Sequence, residues 1–446
     1  MSAALEYHRA TNYPPGAWED EANAAKRYVG PKPAVFRDYG DAERLPLETL
    51  IAGPLLGLGA GVVRSQGDRD YGGGTMHWRS YSSAGGLFPV EAYVAAPEGL
   101  YSFDPLTPGL VQLGGTDVRG AVAEAVGAEA DTFVVLTGVH GRTGWKYLER
   151  GYRHIWWDAG TMLANLLALA AAEGLAPRLY TAFVDGEVND AVGADGTHEY
   201  ALAVLVLDSS QRITNDPQRS SNTVLLGTSG SRFPLAERAH QASSLSDKDA
   251  VRAWRVEPEG EEPTLDRERL AQSMRSRTSI RKYADSPLPR VPLDELLAWS
   301  EAPIPADAPR VVQQLVTVAA VEGLDPGIYD ASLNLLHARD EQELRERAWF
   351  VAMEQDHPKL AAVNVFQLAD LPEVVERLGD RGYRWAQLEA GIRAGRLQVG
   401  AFMRGWGAAA STFYDEEVSR FLETLESPML MVAIGPRLRP RPQVRL

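Results

Sequence analysis

The chain has 446 residues, 45% of them hydrophobic and 24% charged, with a formal net charge of −15. That length and composition describe a globular protein of two or three domains, and the acidic balance excludes a general basic face for nucleic acid or an anionic membrane. The absence of cysteine excludes disulfides, thiolate nucleophiles and Cys-ligated zinc or iron–sulfur centres.

The N-terminus, MSAALEYHRATNY, has no basic stretch leading into an apolar core, so no secretion signal is expected and the protein is read as cytoplasmic. Residues 1 to about 50 are polar and rich in turn formers. A helix is expected around Leu45 to Leu56. The Gly57-Leu58-Gly59-Ala60-Gly61 run behind it reads as a turn, since no strand precedes it and no acidic ribose partner is evident. Arg79 to Val94, RSYSSAGGLFPVEAYV, passes from a Ser/Gly-rich loop into an alternating strand. Gly99 to Pro105 and Leu110 to Leu113 read as a strand pair, Val118 to Val126 as a helix, and Thr132 to Thr137 as a buried strand.

The most apolar segment, Ala159 to Ala176, is interrupted by Asn165 and Glu173 and is short for a bilayer. It reads as part of a buried helix from near Tyr152 to Gly174, not as a membrane span. Tyr200 to Leu207 is a further buried strand. Residues 209–262 are dominated by Ser, Asn, Gln and charges and read as a polar linker. Leu265 to Ser276 then opens a second unit with helical spacing.

That second unit repeats the first. YRHIWWDAG from Tyr152 recurs as YRWAQLEAG from Tyr383 at an offset of 231, and FVDGEVN from Phe183 recurs as FYDEEVS from Phe413 at 230. Gly99-Leu100-Tyr101 recurs as Gly327-Ile328-Tyr329 at 228. The expected organisation is one module over 1–208, a linker over 209–262 and a second module over 263–446, the copies forming an internal pseudo-dimer. His8, His77, His140 and His154 have no metal-ligand spacing and read as structural or surface residues; Asp356-His357 before Pro358 reads as a turn. No metal site is expected.

The motifs SSAGGLFPVEAYV, WKYLERGYRHIWWDAG and FVDGEVN, with RTSIRKY and GPRLRPRP in the second half, resemble the nitroreductase-like flavoproteins and, within them, the SagB-type dehydrogenases. The resemblance implies an α+β fold: tandem modules, each a mainly antiparallel sheet wrapped by helices. It also implies flavin mononucleotide, FMN, bound between modules. The phosphate would be held by an Arg-x-Ser-x-Arg segment and a C-terminal basic pair, and a Ser-rich loop from the other module would face the ring. A Lys-Tyr pair is implicated in catalysis.

The two halves have diverged where this matters. The second alone carries Arg277, Ser279 and Arg281, and ends its last strand with Arg437 and Arg439. The first alone carries Arg79 with the loop Ser82, Ser83, Ala84 and Gly85, and the pair Lys146 and Tyr147. At the offset of 231 the second half has Arg377 and Leu378 instead, and Pro305 to Pro309 lies opposite the Ser loop. One FMN per chain is therefore expected, its phosphate on guanidinium forks and its ring against small loop residues.

For this family the resemblance implies oxidation of a peptide thiazoline or oxazoline to the azole. Hydride would pass to FMN, dioxygen would reoxidise it, and Lys146 or Tyr147 would take the Cα proton. Expected partners are an azoline-containing precursor peptide and a cyclodehydratase or other maturation protein, with no nucleic acid or membrane. The pseudo-dimer is compatible with a monomeric chain. Two alternatives stand beside this: an NAD(P)H-dependent nitro- or quinone reductase, and a flavin-free scaffold for precursor peptide or cyclodehydratase.

Overall fold

The computed structural model describes residues 2–17, 32–67, 74–208, 232–258 and 260–438. Strands β1 (Val62–Gly67) and β2 (Thr75–Arg79) form an antiparallel pair leading into the Ser loop. The first module's main sheet is built from β3 (Val90–Ala96), β4 (Gly99–Asp104), β5 (Gly109–Gly114), β6 (Thr132–Val139), β7 (Arg178–Tyr180) and β8 (Glu199–Asp208). Their spatial order is β5-β4-β3-β6-β8-β7, with every pairing antiparallel.

The second module supplies β9 (Gln313–Val318), β10 (Gly327–Asp330), β11 (Leu335–Ala338), β12 (Val363–Ala369), β13 (Trp406–Ser411) and β14 (Ser427–Pro436). Their order, β11-β10-β9-β12-β14-β13, is the first order with each strand replaced by its counterpart, again antiparallel throughout. The central strands β3, β6 and β12 are buried along their whole length, which is why β6 reads as a continuous apolar run. Glu91, which made β3 alternate, is buried as well, against Arg142 and Arg37.

The modules meet on two long helices, Gly151–Ala172 and Leu371–Met403. They cross at equivalent glycines: a Cβ on Gly160 would lie 2.6 Å from the Gly391 Cα, so only glycine permits this approach. Trp157 Nε1 donates to Gln387 Oε1 at 2.6 Å across the same crossing. His140–Ala172 has the length and composition of a membrane span, yet 94% of its most apolar stretch is buried within the fold, as expected of a core helix.

Two ion triads related by the pseudo-twofold flank the crossing. Arg150 and Arg153 of the first module each reach Asp415 of the second at 2.7 Å. Arg381 and Arg384 of the second reach Asp185 of the first at 2.6 Å. Burial pushes the Asp415 carboxyl up, but the two guanidiniums outweigh it and hold it at about 2. Burial likewise opposes Arg381 and Arg384 at Asp185, which ends well below the usual carboxylate range.

The triads also identify the chain's short helices. Arg153 bonds the Thr11 hydroxyl and the His8 carbonyl at the end of helix Ala3–Ala10. Arg384 bonds the Ser243 hydroxyl and the His240 carbonyl at the end of helix Pro234–Ala242. The second helix is thus the counterpart of the first, and it falls in the segment read as linker. Of that segment, residues 209–231 lie outside the described residues, while 232–258 carry this helix and Lys248–Trp254. We accordingly place the start of the second module near residue 232. His8 to Asn12 then corresponds to His240 to Ser244.

Two local expectations are corrected. Gly57 to Ala60 is helical, within Ala52–Ala60; its glycines serve close packing, since a Cβ on Gly59 would lie 2.9 Å from Leu166 Cδ2. Asp356 and His357 begin a short helix, Asp356–Leu360, that buries His357.

Candidate functional site

A cleft opens between the modules beside the long-helix crossing. From the first module come Ser82, Ser83, Ala84, Gly85, Tyr147, His154, Trp157, Asp158 and Thr161. From the second come Ser279, Arg281, Gln355, Gln398, Ala410, Ser411, Thr412 and Leu430. Its volume is about 150 Å³, with Ser279 and Arg281 solvent-exposed.

The Ser loop is shaped by its own backbone and by Asp158. Gly85 and Gly86 have φ of 63° and 66°, left-handed values that glycine adopts without penalty. Asp158, one turn into the long helix from His154, accepts from the Ser83 hydroxyl and, at 3.1 Å, from the Ala84 N–H. Burial raises the Asp158 carboxyl to about 7 against these two hydrogen bonds and the nearby Arg79.

Lys146 and Tyr147 end the helix His140–Tyr147 and sit on this loop. A Cβ at Gly85 would lie 3.1 Å from Tyr147 Oη and 3.4 Å from Lys146 Cδ, so the glycine lets the pair close on the loop. The chain then turns sharply at Leu148, whose φ of 52° and ψ of −136° are unusual for a side chain branched at Cγ. The Tyr147 ring packs over His154 with centroids 4.0 Å apart, and His154 meets Trp157 edge-on at 4.6 Å. Burial first, then Arg150, Arg153 and Lys146, hold the His154 imidazole well below its ordinary value, so it is neutral at pH 7.

The predicted residues divide into two groups. Ser82 to Gly85, Tyr147, Ser279 and Arg281 line the cleft, and Lys146 lies against its loop. Arg79, Arg277 and Arg437 do not line it. Arg79 is buried and donates to the Ala60 and Val90 carbonyls, over the rings of Tyr81 and Phe88. Arg277 reaches across the module boundary to the carbonyls of Ser80 and Tyr81 and the Ser82 hydroxyl, so it braces the loop from behind. Its guanidinium is lowered to about 10 by burial and by Arg64. Arg437 donates to the Trp406 carbonyl and stacks 3.9 Å over Phe402. Arg439 lies outside the described residues.

Sequence reasoning missed His154, Asp158, Gln398, Ser411 and Thr412. A signal was present: His154 and Asp158 lie in the repeated YRHIWWDAG motif, at positions where the second copy has Trp385 and Glu389. Ser411 is further fixed by His357, whose Nε2 lies 2.6 Å from the Ser411 hydroxyl.

The donor set suits an anionic, acceptor-rich cofactor. Gln398 Nε2, the Thr412 hydroxyl and both His154 ring nitrogens are buried without a hydrogen-bond partner among the described residues. Such groups are costly unless a ligand or solvent satisfies them. Ser279 and Arg281 add a hydroxyl and a guanidinium of the kind that binds phosphate. The cleft is smaller than the roughly 300–1,000 Å³ typical of small-molecule sites, so a flavin nucleotide would extend beyond its enclosed part. The residues present are therefore chemically compatible with FMN: Ser279 and Arg281 would suit its phosphate, and the small residues of the Ser82 to Gly85 loop would admit its ring. Among the described residues no cluster of His, Asp and Glu suits a metal ion.

The fold is thus two antiparallel α+β modules with a cleft between them. The nitroreductase family profile matches residues 48–206 and 274–436, and the chain belongs to that family, as two tandem modules. A nitroreductase-type protein of Methanocaldococcus jannaschii is 25% identical over 190 residues, covering 40% of this chain and 95% of the relative. A crystal structure of a nitroreductase-type protein from Anabaena variabilis superposes with TM-score 0.80 at 23% identity, over 98% of this chain and 100% of that one. A chain of the Escherichia coli microcin synthetase McbBCD complex with truncated pro-peptide matches with TM-score 0.31 and 19% identity, over 47% of this chain and 92% of its own.

Proposed function

We propose that the protein is an FMN-dependent dehydrogenase of natural-product peptide maturation, oxidising thiazoline or oxazoline rings to azoles at the inter-module cleft. The observation that carries this reading is the seating of Lys146 and Tyr147 on the Gly85 loop, opposite Ser279 and Arg281 of the other module.

FMN, when bound, would supply the two-electron acceptor for the hydride lost from the ring Cβ, with dioxygen as the final oxidant. The chain's own residues do the rest. Ser279 and Arg281 anchor the phosphate. Arg277 and Asp158 hold the Ser loop from two sides and fix how closely its backbone approaches a ring. Lys146 or Tyr147 takes the Cα proton, the partner residue holding it in position. Trp157 and the Tyr147 ring exclude water from one wall. An azoline-bearing precursor peptide is the substrate in this reading, with a cyclodehydratase as its natural supplier and the cytoplasm as the compartment.

Incubation with a thiazoline peptide in air tests this directly. The expected product has lost two hydrogens, and Lys146→Ala should retain flavin absorbance while losing turnover by about 10²–10⁴-fold. Full turnover in a flavin-loaded Lys146→Ala would remove the lysine from the mechanism. The relatives' names favour a second reading, an NAD(P)H-dependent nitro- or quinone reductase. Rapid bleaching of the flavin by NADPH, with no change in the azoline peptide, would select it.

A further inference from the structure

The pseudo-twofold that builds the cleft also generates a second position, and there the structure is closed. Thr181, Trp385 and Leu388 surround a void of only about 10 Å³. At the repeat offsets they correspond to Ser411, His154 and Trp157 of the open cleft. Trp254, at the end of helix Lys248–Trp254, also lines this void and donates its indole N–H to the Leu378 carbonyl.

The donors there are already taken. The fully buried Asp307 accepts from the Thr181 N–H at 2.7 Å, the Thr181 hydroxyl at 2.9 Å and the Ala182 N–H at 3.1 Å. Arg255 Nε completes the shell at 3.1 Å. Asp307 lies on the second module's counterpart of the Ser loop, and that loop docks on the first module's β7. The Leu179 N–H donates to the Pro305 carbonyl, and the Asp307 N–H to the Leu179 carbonyl. Glu389, counterpart of Asp158, secures the same loop through the Val311 and Val312 N–H groups. The loops in the two half-sites are therefore anchored alike. In one, the facing residues Ser411 and Thr412 line an open cleft, and the Thr412 hydroxyl is buried without a partner among the described residues. In the other, a carboxylate of the chain itself fills the corresponding position.

We propose that the second half-site is a carboxylate-binding position occupied by the chain's own Asp307, which together with Trp254 and Arg255 keeps that half-site shut to any free ligand. The Thr181–Ala182 donors form a cradle for two carboxylate oxygens, and Arg255 neutralises the charge.

The test uses the full-length protein and the smallest free carboxylate. Asp307→Ala leaves the cradle without its acceptor, and its melting temperature should fall by about 5 °C. Sodium formate, compared with sodium chloride at equal ionic strength, should restore at least half of that loss in a concentration-dependent way, as a ligand binding the native state must. The wild-type protein should respond equally to the two salts. A variant as stable as wild type, or one that formate stabilises no more than chloride, overturns the proposal. If Asp307→Ala does not fold, Asp307→Asn serves instead. Its amide cannot accept at both oxygens, so it should also melt lower, and melting at the wild-type temperature overturns the proposal too.

Discussion

Leu148 and Gly379 occupy the same bend in the two modules, 231 residues apart, with φ of 52° and 63°. In the second module glycine adopts this conformation freely and the bend interrupts a single long helix, Leu371–Met403. In the first module a leucine is held there, directly after Lys146 and Tyr147, where the chain passes from one helix to the next. A non-glycine residue in this region costs on the order of 1–3 kcal/mol and persists where its surroundings over-determine it. The bend aims the Lys-Tyr pair at the Gly85 loop.

Leu148→Gly relieves that strain while removing a half-buried side chain. The expected outcome is a melting temperature equal to or above wild type, with lower turnover because the pair is less firmly aimed. A drop of several degrees in a thermal melt would show that the bend is not strained.

Asp158 carries a pH dependence of definite sign. Its carboxyl is raised to about 7 in the fold, against about 3.9 in an unfolded chain. The folded state therefore binds the proton more tightly, and this contribution to stability is present in full below about pH 4 and lost as pH rises toward 7. Asp158→Asn should remove that slope. Denaturant unfolding of both proteins between pH 4 and 8 measures it, and parallel profiles would contradict the assignment.

The ion triads act in the opposite direction. Asp415 is held at about 2 and Asp185 below the carboxylate range, so their contribution is present above about pH 3.9 and lost as pH falls toward 2. Asp415→Asn leaves Arg150 and Arg153 buried with less than their full charge compensation, and should cost roughly 3–5 kcal/mol by denaturant unfolding at pH 7. It should also reduce the steepness of acid unfolding. Stability at pH 7 within 1 kcal/mol of wild type would show that the triad contributes little to joining the modules.

Much of this architecture was legible because duplication prints the same residues twice. Gly160 and Gly391, Arg150 and Arg381, and Asp185 and Asp415 are paired in the sequence and meet, crosswise, at the interface. That the Ser loop, Tyr147, Ser279 and Arg281 would come together at one cleft was legible for a different reason: each is present in one copy and absent from the other. Arg79 and Arg277 misled because a guanidinium satisfies backbone carbonyls as readily as a phosphate, and only packing decides which. Helix Pro234–Ala242 was hidden because its equivalence to Ala3–Ala10 rests on His and a small hydroxyl residue, too little to stand out in a polar segment. Asp307 was invisible for a related reason: two of its partners are backbone N–H groups of the other module, which no sequence pattern records.

A single asymmetric cofactor site per chain is tested most directly by flavin stoichiometry. Absorbance of the purified protein near roughly 370 and 450 nm, calibrated by flavin released on denaturation, should give one FMN per chain. Two FMN per chain would contradict the closed second half-site, and a protein that neither carries nor takes up FMN would contradict the open one.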